Sequence, residues 1–395
     1  MAARRQLTER VLDLDTVLRD PATRTIVCCG SGGVGKTTTA AAMALRAAEQ
    51  GRAVVVLTID PARRLAQSLG LTELDNTPRP VVGVDIALGG SLDAMMLDMK
   101  RTFDEVVIAH AAPDKAGQIL ENPFYQAVSS SFAGTQEYMA MEKLGQLRAE
   151  LDAESGTPRW DLIVVDTPPS RSALDFLDAP HRLGSFLDGR FIRLLMAPAR
   201  VSSRAYLRFV SVGVHLVTGA MTKILGGQFL TDVQTFVSAL DTMFGGFRER
   251  ADQTYRLLKE GGTSFVVVAA PERDALREAS FFVDRLEQDG MPLAGLVVNR
   301  VQVVAAGTLS ASRAWAAAEQ LDDDDTAELP EHDALAVGLL RLHATLSEQA
   351  DRQANLVRRF TAGHPEIATV QVPALAQDVH DLDGLRDVGR ALAPS

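Results

Sequence analysis

A run of glycines followed by a lysine and two threonines is the part of this sequence best suited to chemistry. It occupies residues 30–38 and reads GSGGVGKTT. The spacing fits G-x-x-x-x-G-K-[ST], in which backbone N–H groups turn toward phosphates, the lysine reaches the β and γ oxygens, and the first threonine ligates Mg²⁺. The sequence therefore predicts a nucleoside triphosphate site with these members: Gly30, Ser31, Gly32, Gly33, Val34, Gly35, Lys36, Thr37 and Thr38.

Asp60 is a candidate for the same site, because it follows the apolar run 53–59 (AVVVLTI) and precedes Pro61. As a structural residue it would cap a helix that has proline at its first position. As a functional residue it would orient a water molecule in line with the γ-phosphate. We favour a combined role, since a cap would fix the carboxylate in place.

Asp166 closes the apolar run 162–165 (LIVV), which is the pattern of a Walker B strand. The carboxylate at that position holds Mg²⁺ directly or through water. The alternative is an aspartate that only caps a turn at a strand end. Pro168 and Pro169, which come after Thr167, stiffen the loop that follows. Residues 167–175 are therefore a candidate second switch, after a first switch at Asp60.

Short apolar runs that favour β-strands position these residues. Most of them are continuous, which is typical of parallel strands covered on both faces, and helical segments such as 37–50 lie between them. The sequence therefore predicts an α/β fold with a doubly wound, mostly parallel sheet of P-loop NTPase type. The runs are 24–29, 53–59, 162–165, 265–269, 296–298 and 368–372.

Two segments have few strand signals and are predicted to form an inserted helical subdomain above the strand ends. They are residues 91–150 and 185–260. Around them, 1–90 would carry the phosphate-binding loop and the first switch, 151–184 the Walker B strand and the second switch, and 261–395 the rest of the core. The last part includes an acidic run at 321–331, interpreted as an exposed linker before a helix near 335–360.

Each helical segment carries an apolar stripe at helical spacing. We favour the interpretation that the two stripes face each other as core. The alternative is a groove for an apolar partner, because methionine suits adaptable surfaces. The stripe residues are Met95, Met96, Met99, Phe103, Val106 and Val107 in the first segment, and Leu230, Val233, Phe236, Val237, Leu240, Met243, Phe244 and Phe247 in the second.

Composition narrows the possible partners and the compartment. The 40 basic and 51 acidic residues give a net charge of −11, which disfavours broad contact with nucleic acid or an anionic membrane. Cys28 and Cys29 are adjacent, which suits neither a usual disulfide nor a two-pair zinc site. The first residues lack an apolar leader, and 207–225 contains three ionisable side chains. We expect a cytoplasmic protein without an integral membrane segment or zinc.

Five motifs in this order, GSGGVGKTT, TIDPARRLA, VVDTPPS, VVNR and VPAL, resemble the ArsA/GET family of deviant-Walker-A ATPases over nearly the whole chain. The resemblance implies ATP and Mg²⁺ as cofactors, two ATPase halves that close face to face, and a helical subdomain that carries a client or effector. It implies that Asp60 orients water and that Asp166 lies in the second switch. It also implies that Asn299, with Arg300 beside it, and Pro373 contact the adenine.

The sequence departs from the family pattern at four places. Ser31 stands where the family has a lysine that reaches the partner's phosphates, and a serine lacks that charge. Arg63 replaces a histidine of the first switch, with Arg64 beside it, and Arg171 adds a charge to the second switch. For any one of these arginines we favour a surface salt bridge over a role in the switch. The cysteines match neither the dispersed set of arsenite pumps nor a C-x-x-C zinc site.

Three functions follow as hypotheses. The first is a Mg²⁺-dependent ATPase that handles a hydrophobic protein client and pairs with a paralogous chain that retains the lysine. The second is a nucleotide-binding regulatory subunit that hydrolyses ATP weakly or not at all. The third is a ParA/MinD-type positioning ATPase, which the acidic balance, the long helical insertions and the lack of a basic amphipathic C-terminal helix disfavour.

Overall fold

A computed structural model gives the structure of the chain. It describes residues 10–60, 64–111, 113–122, 125–126, 135–168, 249, 252–322 and 331–393. The second predicted helical segment and its apolar stripe lie almost entirely outside these residues. So do Pro61, Arg63, Pro169 and Arg171, most of the acidic run, and the segment 207–225.

An eight-stranded sheet in the order β3-β4-β2-β5-β1-β6-β7-β8 forms the centre of the molecule. Every neighbouring pair is parallel except β3 and β4. The predicted α/β fold with a mostly parallel sheet is confirmed, and the six predicted runs lie on six of its strands. The strands are β1 (Thr25–Cys29), β2 (Ala53–Thr58), β3 (Arg79–Pro80), β4 (Ser91–Met96), β5 (Leu162–Asp166), β6 (Thr263–Ala269), β7 (Leu293–Val301) and β8 (Thr369–Pro373).

Helices connect the strands and cover both faces of the sheet. The helix predicted at 37–50 is present as Lys36–Glu49, and the one predicted near 335–360 runs over Glu331–Gly363. A further helical segment spans 252–259. The helices are α1 (Leu14–Arg19), α2 (Lys36–Glu49), α3 (Arg64–Ser68), α4 (Met99–His110), α5 (Pro113–Leu120), α6 (Thr135–Ala149), α7 (Arg273–Gln288), α8 (Ala311–Asp322), α9 (Glu331–Gly363) and α10 (Leu382–Ala391).

Each face of the sheet has its own apolar core. Alternate side chains of a strand point to opposite faces, so Val55 and Leu57 of β2 join one core while Val54 and Val56 join the other. The first core is covered by α4, α6, α7 and α9, and the second by the alanine-rich helix α2 together with α10. Small side chains on α2 let this helix lie close to the strands.

The helical interpretation of 91–150 is wrong for its first residues. Ser91–Met96 is strand β4, which pairs in parallel with β2. Met95 and Met96 therefore belong to a strand, and the helical stripe begins only at Met99. The run 91–96 was missed because Ser91 and Asp93 interrupt its apolar character, whereas the other predicted strands are continuous apolar runs.

The described part of the first helical segment covers a sheet face and does not form a lobe above the strand ends. Phe103, Val106 and Val107 on α4 are at most 6% exposed and share a core with the strand residues Val55 and Leu57. The buried residues of this stripe are therefore core, and they pack against the sheet. A groove for a partner is wrong for them, because the sheet already occupies their apolar face. That the second stripe also faces them stays a prediction, because that stripe lies outside the described residues.

The acidic run begins within a helix. Leu321 and Asp322 are the last residues of α8, and both are exposed. The predicted start of the linker at residue 321 is thus wrong, because residues 321 and 322 belong to helix α8. Residues 323–330 lie outside the described part of the chain.

Arg52 joins several elements at the amino ends of the strands. Its side chain is buried and donates hydrogen bonds to the carbonyl oxygens of Leu18, Thr23 and Asp161, at 2.8 to 2.9 Å. Its Nε also donates to the Asp161 carboxylate at 2.7 Å. This guanidinium therefore fixes α1 and the starts of β1, β2 and β5 relative to one another.

Candidate functional site

The glycines of the phosphate-binding loop adopt conformations and close approaches that a side chain would prevent. Gly35 has φ 94° and precedes α2, and a Cβ atom on it would lie 2.2 Å from the Asn299 amide nitrogen. A Cβ atom on Gly30 would lie 2.1 Å from the carbonyl oxygen of Val268 on β6. The loop is thus held against β6 and β7, and it precedes the N-terminus of α2, a position that can bind an anion.

Lys36 is the first residue of α2 and lies under the loop. Its ammonium group donates a hydrogen bond to the Ser31 carbonyl oxygen at 2.8 Å, and the residue is only 7% exposed. Desolvation lowers the pKa of Lys36, while the nearby Asp166 carboxylate acts in the opposite direction. A buried ammonium with one hydrogen bond has further donors for phosphate oxygens.

Asp166 ends β5 next to the phosphate-binding loop and is fully buried. Its Oδ2 accepts hydrogen bonds from the Thr37 hydroxyl at 2.8 Å and from the Thr58 hydroxyl at 2.9 Å. Burial raises the pKa of Asp166 to about 6, against the opposite effect of these two hydroxyls. The parallel register, which pairs Thr58 with Asp166, brings the two strand ends together.

The oxygen atoms at this point fit a hard divalent cation. Asp166 Oδ1 is buried and has no hydrogen-bond partner among the described residues. A buried carboxylate oxygen without a partner is costly, and a cation or ordered water would satisfy it. The Thr37 hydroxyl supplies a second oxygen at hydrogen-bond distance from the carboxylate. Hydroxyl and carboxylate oxygens are ligands that Mg²⁺ prefers, usually together with waters and substrate phosphates.

Asp60 lies two residues beyond the end of β2, at the same edge of the sheet. It is half-buried, and its backbone N–H donates to the Thr58 hydroxyl at 3.2 Å. Its side chain lines the same cavity as Lys36 and Thr37. The predicted cap on a helix that starts at Pro61 concerns undescribed residues, and the described helix α3 starts at Arg64. The capping role stays a prediction.

A cavity of about 1070 Å³ extends from the phosphate-binding loop across the carboxyl ends of β7 and β8. Its volume is at the upper end of the range for small-molecule and cofactor sites. Sequence-predicted residues from all three regions, the loop, the first switch and the base-binding motifs, lie around it. They are Gly32, Gly33, Gly35, Lys36, Thr37, Thr38, Asp60, Arg64, Asn299, Arg300 and Pro373.

Asn299 and Arg300 connect β7 with the phosphate-binding loop. The Asn299 amide donates to the Val34 carbonyl oxygen at 2.8 Å, and the Arg300 guanidinium donates to the Gly33 carbonyl oxygen at 3.0 Å. Both residues lie within β7, which the sequence predicted to end at Val298. The register between β7 and β8 shifts between Asn299 and Val301, and Arg300 has φ 62°. This bulge directs two consecutive side chains to the loop.

Several residues around the site were missed from the sequence. Thr58 was missed, although a polar residue that ends an apolar strand could have indicated it. The turn after β8 supplies much of the far wall of the cavity, but its sequence has no recognisable motif beyond residue 375. The missed cavity residues are Gln67, Ser68, Gln377, Asp378, Val379, His380 and Val388.

Cys28 and Cys29 lie at the end of β1, directly before the loop. Both are buried thiols, and burial raises the pKa of each, so both are neutral at physiological pH. The Cys28 carbonyl oxygen accepts from the Thr167 hydroxyl at 2.7 Å. Thr167, at the start of the predicted second switch, is thereby attached to the strand that carries the loop.

Comparison with known proteins identifies the family. The family model for anion-transporting ATPases (ArsA_ATPase) matches residues 23–322. ATPase GET3 of Malassezia globosa is 25% identical over 292 residues, which cover 73% of this chain and 76% of that protein. ATPase GET3C of Arabidopsis thaliana is 24% identical over 281 residues, and the match covers 69% of this chain and 65% of that protein.

No helix in the described part of the chain combines the length and the apolar character needed to cross a bilayer. The family model ends at Asp322, so the phosphate-binding loop, both aspartates and Asn299 lie within its match, whereas α9, β8 and α10 follow it. The chain belongs to the family of anion-transporting ATPases, and it is an ATP-binding ATPase of the ArsA/GET type.

Proposed function

We propose that this ATPase depends on Mg²⁺ and hydrolyses ATP in the cavity between the phosphate-binding loop and β8. The observation that carries the proposal is the cluster formed by Lys36, Thr37 and Asp166 at the base of that cavity. Lys36 binds the β- and γ-phosphates, and Thr37 and Asp166 hold Mg²⁺. The bound metal supplies positive charge that neutralises the phosphate oxygens.

Asp60 orients the attacking water in this proposal. It lines the cavity with Lys36 and Thr37, and its backbone is attached to Thr58, the same threonine that donates to Asp166. One hydroxyl, that of Thr58, thus contacts both Asp166 and the backbone of Asp60. The base end of the cavity, with Asn299, Arg300 and Pro373, holds the adenine.

Ser31 indicates that the second half of the closed complex comes from a different chain. Its hydroxyl is buried and has no hydrogen-bond partner among the described residues. A serine there offers no cation to a partner, and so two identical copies would both lack the charge. A paralogous chain with lysine at this position restores one complete site, and the proposed assembly is a heterodimer. In this proposal, the helical subdomain of this chain handles a hydrophobic protein client.

Measurements of ATP turnover test the assembly. We expect the isolated chain to hydrolyse ATP slowly, and a paralogue with the lysine to accelerate it. The variant Ser31→Lys should raise turnover of the isolated chain by about 10²-fold or more, since a cation supplied in trans to phosphoryl transfer has effects of this order or larger. Fast hydrolysis by the wild-type chain alone, unchanged by a paralogue, would rule out the heterodimer.

A second candidate function is a regulatory subunit that binds ATP without hydrolysing it, and Ser31 is again the observation that favours it. Asp60→Asn distinguishes the two, because it removes the water-orienting carboxylate and leaves the phosphate contacts. If the variant abolishes turnover in the assembled complex, this chain's own site is active. Unchanged turnover in the complex supports the regulatory function.

A further inference from the structure

A second cavity, of about 410 Å³, lies between α7 and α9. It shares no lining residue with the nucleotide cavity. Its floor is apolar, and three arginines line it. The lining residues are Arg273, Leu276, Arg277, Ser280, Leu356, Arg359 and Phe360.

Three exposed arginines place positive charge around this cavity. Arg273 and Arg277 are one turn apart on α7, and like charges at this spacing destabilise a helix. Arg273 is also the first residue of α7, where the helix dipole is positive. Arg359 adds a third guanidinium from α9, although the chain as a whole has a net charge of −11. An anion in the cavity would relieve this repulsion.

The protein offers little compensation for these charges. Within the described residues, no carboxylate forms an ion pair with Arg273 or Arg359. Arg277 lies 3.1 Å from Asp274, but both side chains are at least 75% exposed, and an ion pair so exposed contributes little. The guanidinium groups therefore keep donors for an additional partner, and guanidinium suits carboxylate and phosphate because it forms paired hydrogen bonds with them.

The floor determines what kind of anion fits. Leu276 and Phe360 are 5% exposed and belong to the core beneath α7 and α9, so they form a fixed apolar surface. Leu356 is half-buried beside them. A bare inorganic ion would leave the exposed part of Leu356 in water, whereas a ligand with an apolar body would cover it. A cavity of this volume also falls within the range of small-molecule sites.

We propose that the cavity between α7 and α9 binds a small organic anion whose carboxylate or phosphate contacts Arg273, Arg277 and Arg359 while its apolar body covers Leu356 and Phe360. This site is separate from ATP binding and does not rest on the proposed function. It gives the ATPase a place for a small-molecule ligand other than its nucleotide.

Calorimetric titration of the full chain with phenyl phosphate, benzoate and inorganic phosphate tests the proposal. We expect phenyl phosphate, benzoate or both to bind saturably at one site per chain and more tightly than inorganic phosphate. The two organic probes distinguish a phosphate from a carboxylate ligand, and a positive result with either supports the site. Binding should weaken as NaCl is raised, because the contacts are ionic. Failure of both organic probes to bind would overturn the proposal.

Variants distinguish this cavity from the nucleotide site, which also attracts phosphate. Arg273→Gln and Arg359→Gln should each weaken binding of the organic probe by about tenfold, since each removes a charged hydrogen-bond donor. Arg352→Gln is the matched control, because Arg352 lies on α9 outside the cavity, and its effect should stay within about twofold. Lys36→Ala should leave binding unchanged. Loss of binding in Lys36→Ala with retention in both arginine variants would refute the site.

Discussion

Buried polar side chains at the two ends of the central strands differ in how completely they are hydrogen-bonded within the protein. At the amino ends, Arg52 donates to four carbonyl oxygens and a carboxylate, so its guanidinium is well satisfied within the protein. At the carboxyl ends, Asp166 has one oxygen that accepts from two threonines and one buried oxygen without a partner in the described residues. The buried guanidinium at the amino ends is satisfied by the protein itself, whereas the buried carboxylate at the carboxyl ends can still accept hydrogen bonds or bind a cation.

This difference separates stability from function along the same strands. A satisfied buried network stabilises the fold, whereas a partly satisfied one costs free energy until a ligand completes it. The capacity that remains at the carboxyl ends belongs to groups that suit phosphate and a divalent cation. Substitutions at the two ends should therefore change different measurements.

The largest expected effect is on catalysis, at Lys36. Lys36→Ala removes the buried ammonium from the phosphate-binding loop and should lower ATP turnover by about 10²-fold or more. Lys100→Ala is the control, because Lys100 is 45% exposed and, among the residues that the structure describes, forms an ion pair only with its helix neighbour Asp104. Steady-state hydrolysis in the assembled complex measures both. Equal losses in the two variants would contradict the comparison.

The next effect is on stability, at Arg52. Arg52→Ala leaves four carbonyl oxygens and the Asp161 carboxylate without their donor and should lower the free energy of unfolding by about 2–4 kcal/mol. Arg19→Ala, which removes a 63% exposed partner of Asp15, should cost about 0–0.5 kcal/mol. Urea denaturation gives both values. A loss at Arg52 no larger than at Arg19 would remove the distinction between the strand ends.

Substitution of Asp166 should raise the free energy of unfolding, whereas substitution of Arg52 should lower it. With its pKa raised to about 6, the carboxylate is ionised and unfavourable at neutral pH, and Asp166→Asn removes this cost. In chelator and without nucleotide, the variant should be more stable than wild type by about 1–3 kcal/mol at pH 7.5 while losing hydrolysis. Asp161→Asn, at the other end of the same strand, should be less stable than wild type.

The pH dependence of this difference follows from the direction of the shift. A raised pKa means that Asp166 favours folding most when protonated, and this contribution disappears as pH rises through about 6. The advantage of Asp166→Asn should therefore shrink as pH falls from 7.5 toward 4. Denaturation midpoints at several pH values measure it, and an advantage that grows on acidification would refute the assignment.

The smallest expected effect on stability is at Asp15 on α1, at the amino ends of the central strands. A hydrogen bond from the Arg46 side chain lowers the pKa of Asp15, and its Oδ2 lies 2.7 Å from an Arg46 guanidinium nitrogen. Asp15→Asn should cost about 1 kcal/mol at pH 7. Because the pKa is lowered, the cost should vanish as the solution is acidified below the ordinary range of aspartate. Asp383→Asn, at an 88% exposed site, should have no measurable effect.

Much of the fold was predictable because parallel strands covered on both faces are continuous apolar runs, as in 53–59 and 162–165. The order of the strands was not predictable, since it depends on the face of the sheet over which each connecting helix passes. Strand β4 was not predicted, because two polar residues interrupt its apolar run. Within the site, glycine-lysine-threonine spacing identified the loop, and strand-end position identified both aspartates. Thr58 and the arginine-lined cavity result from tertiary contacts between distant segments, which spacing along the chain does not reveal.

The bulge at Arg300 positions two side chains through the number of residues in β7. One additional residue in β7 relative to β8 brings Asn299 and Arg300 onto adjacent carbonyl oxygens of the phosphate-binding loop. Because strand side chains alternate between faces, deletion of one residue here would turn the following side chains to the opposite face. The contacts of both side chains with the loop thus depend on the number of residues in β7. Changes of length at this point should be less tolerated than changes of side chain.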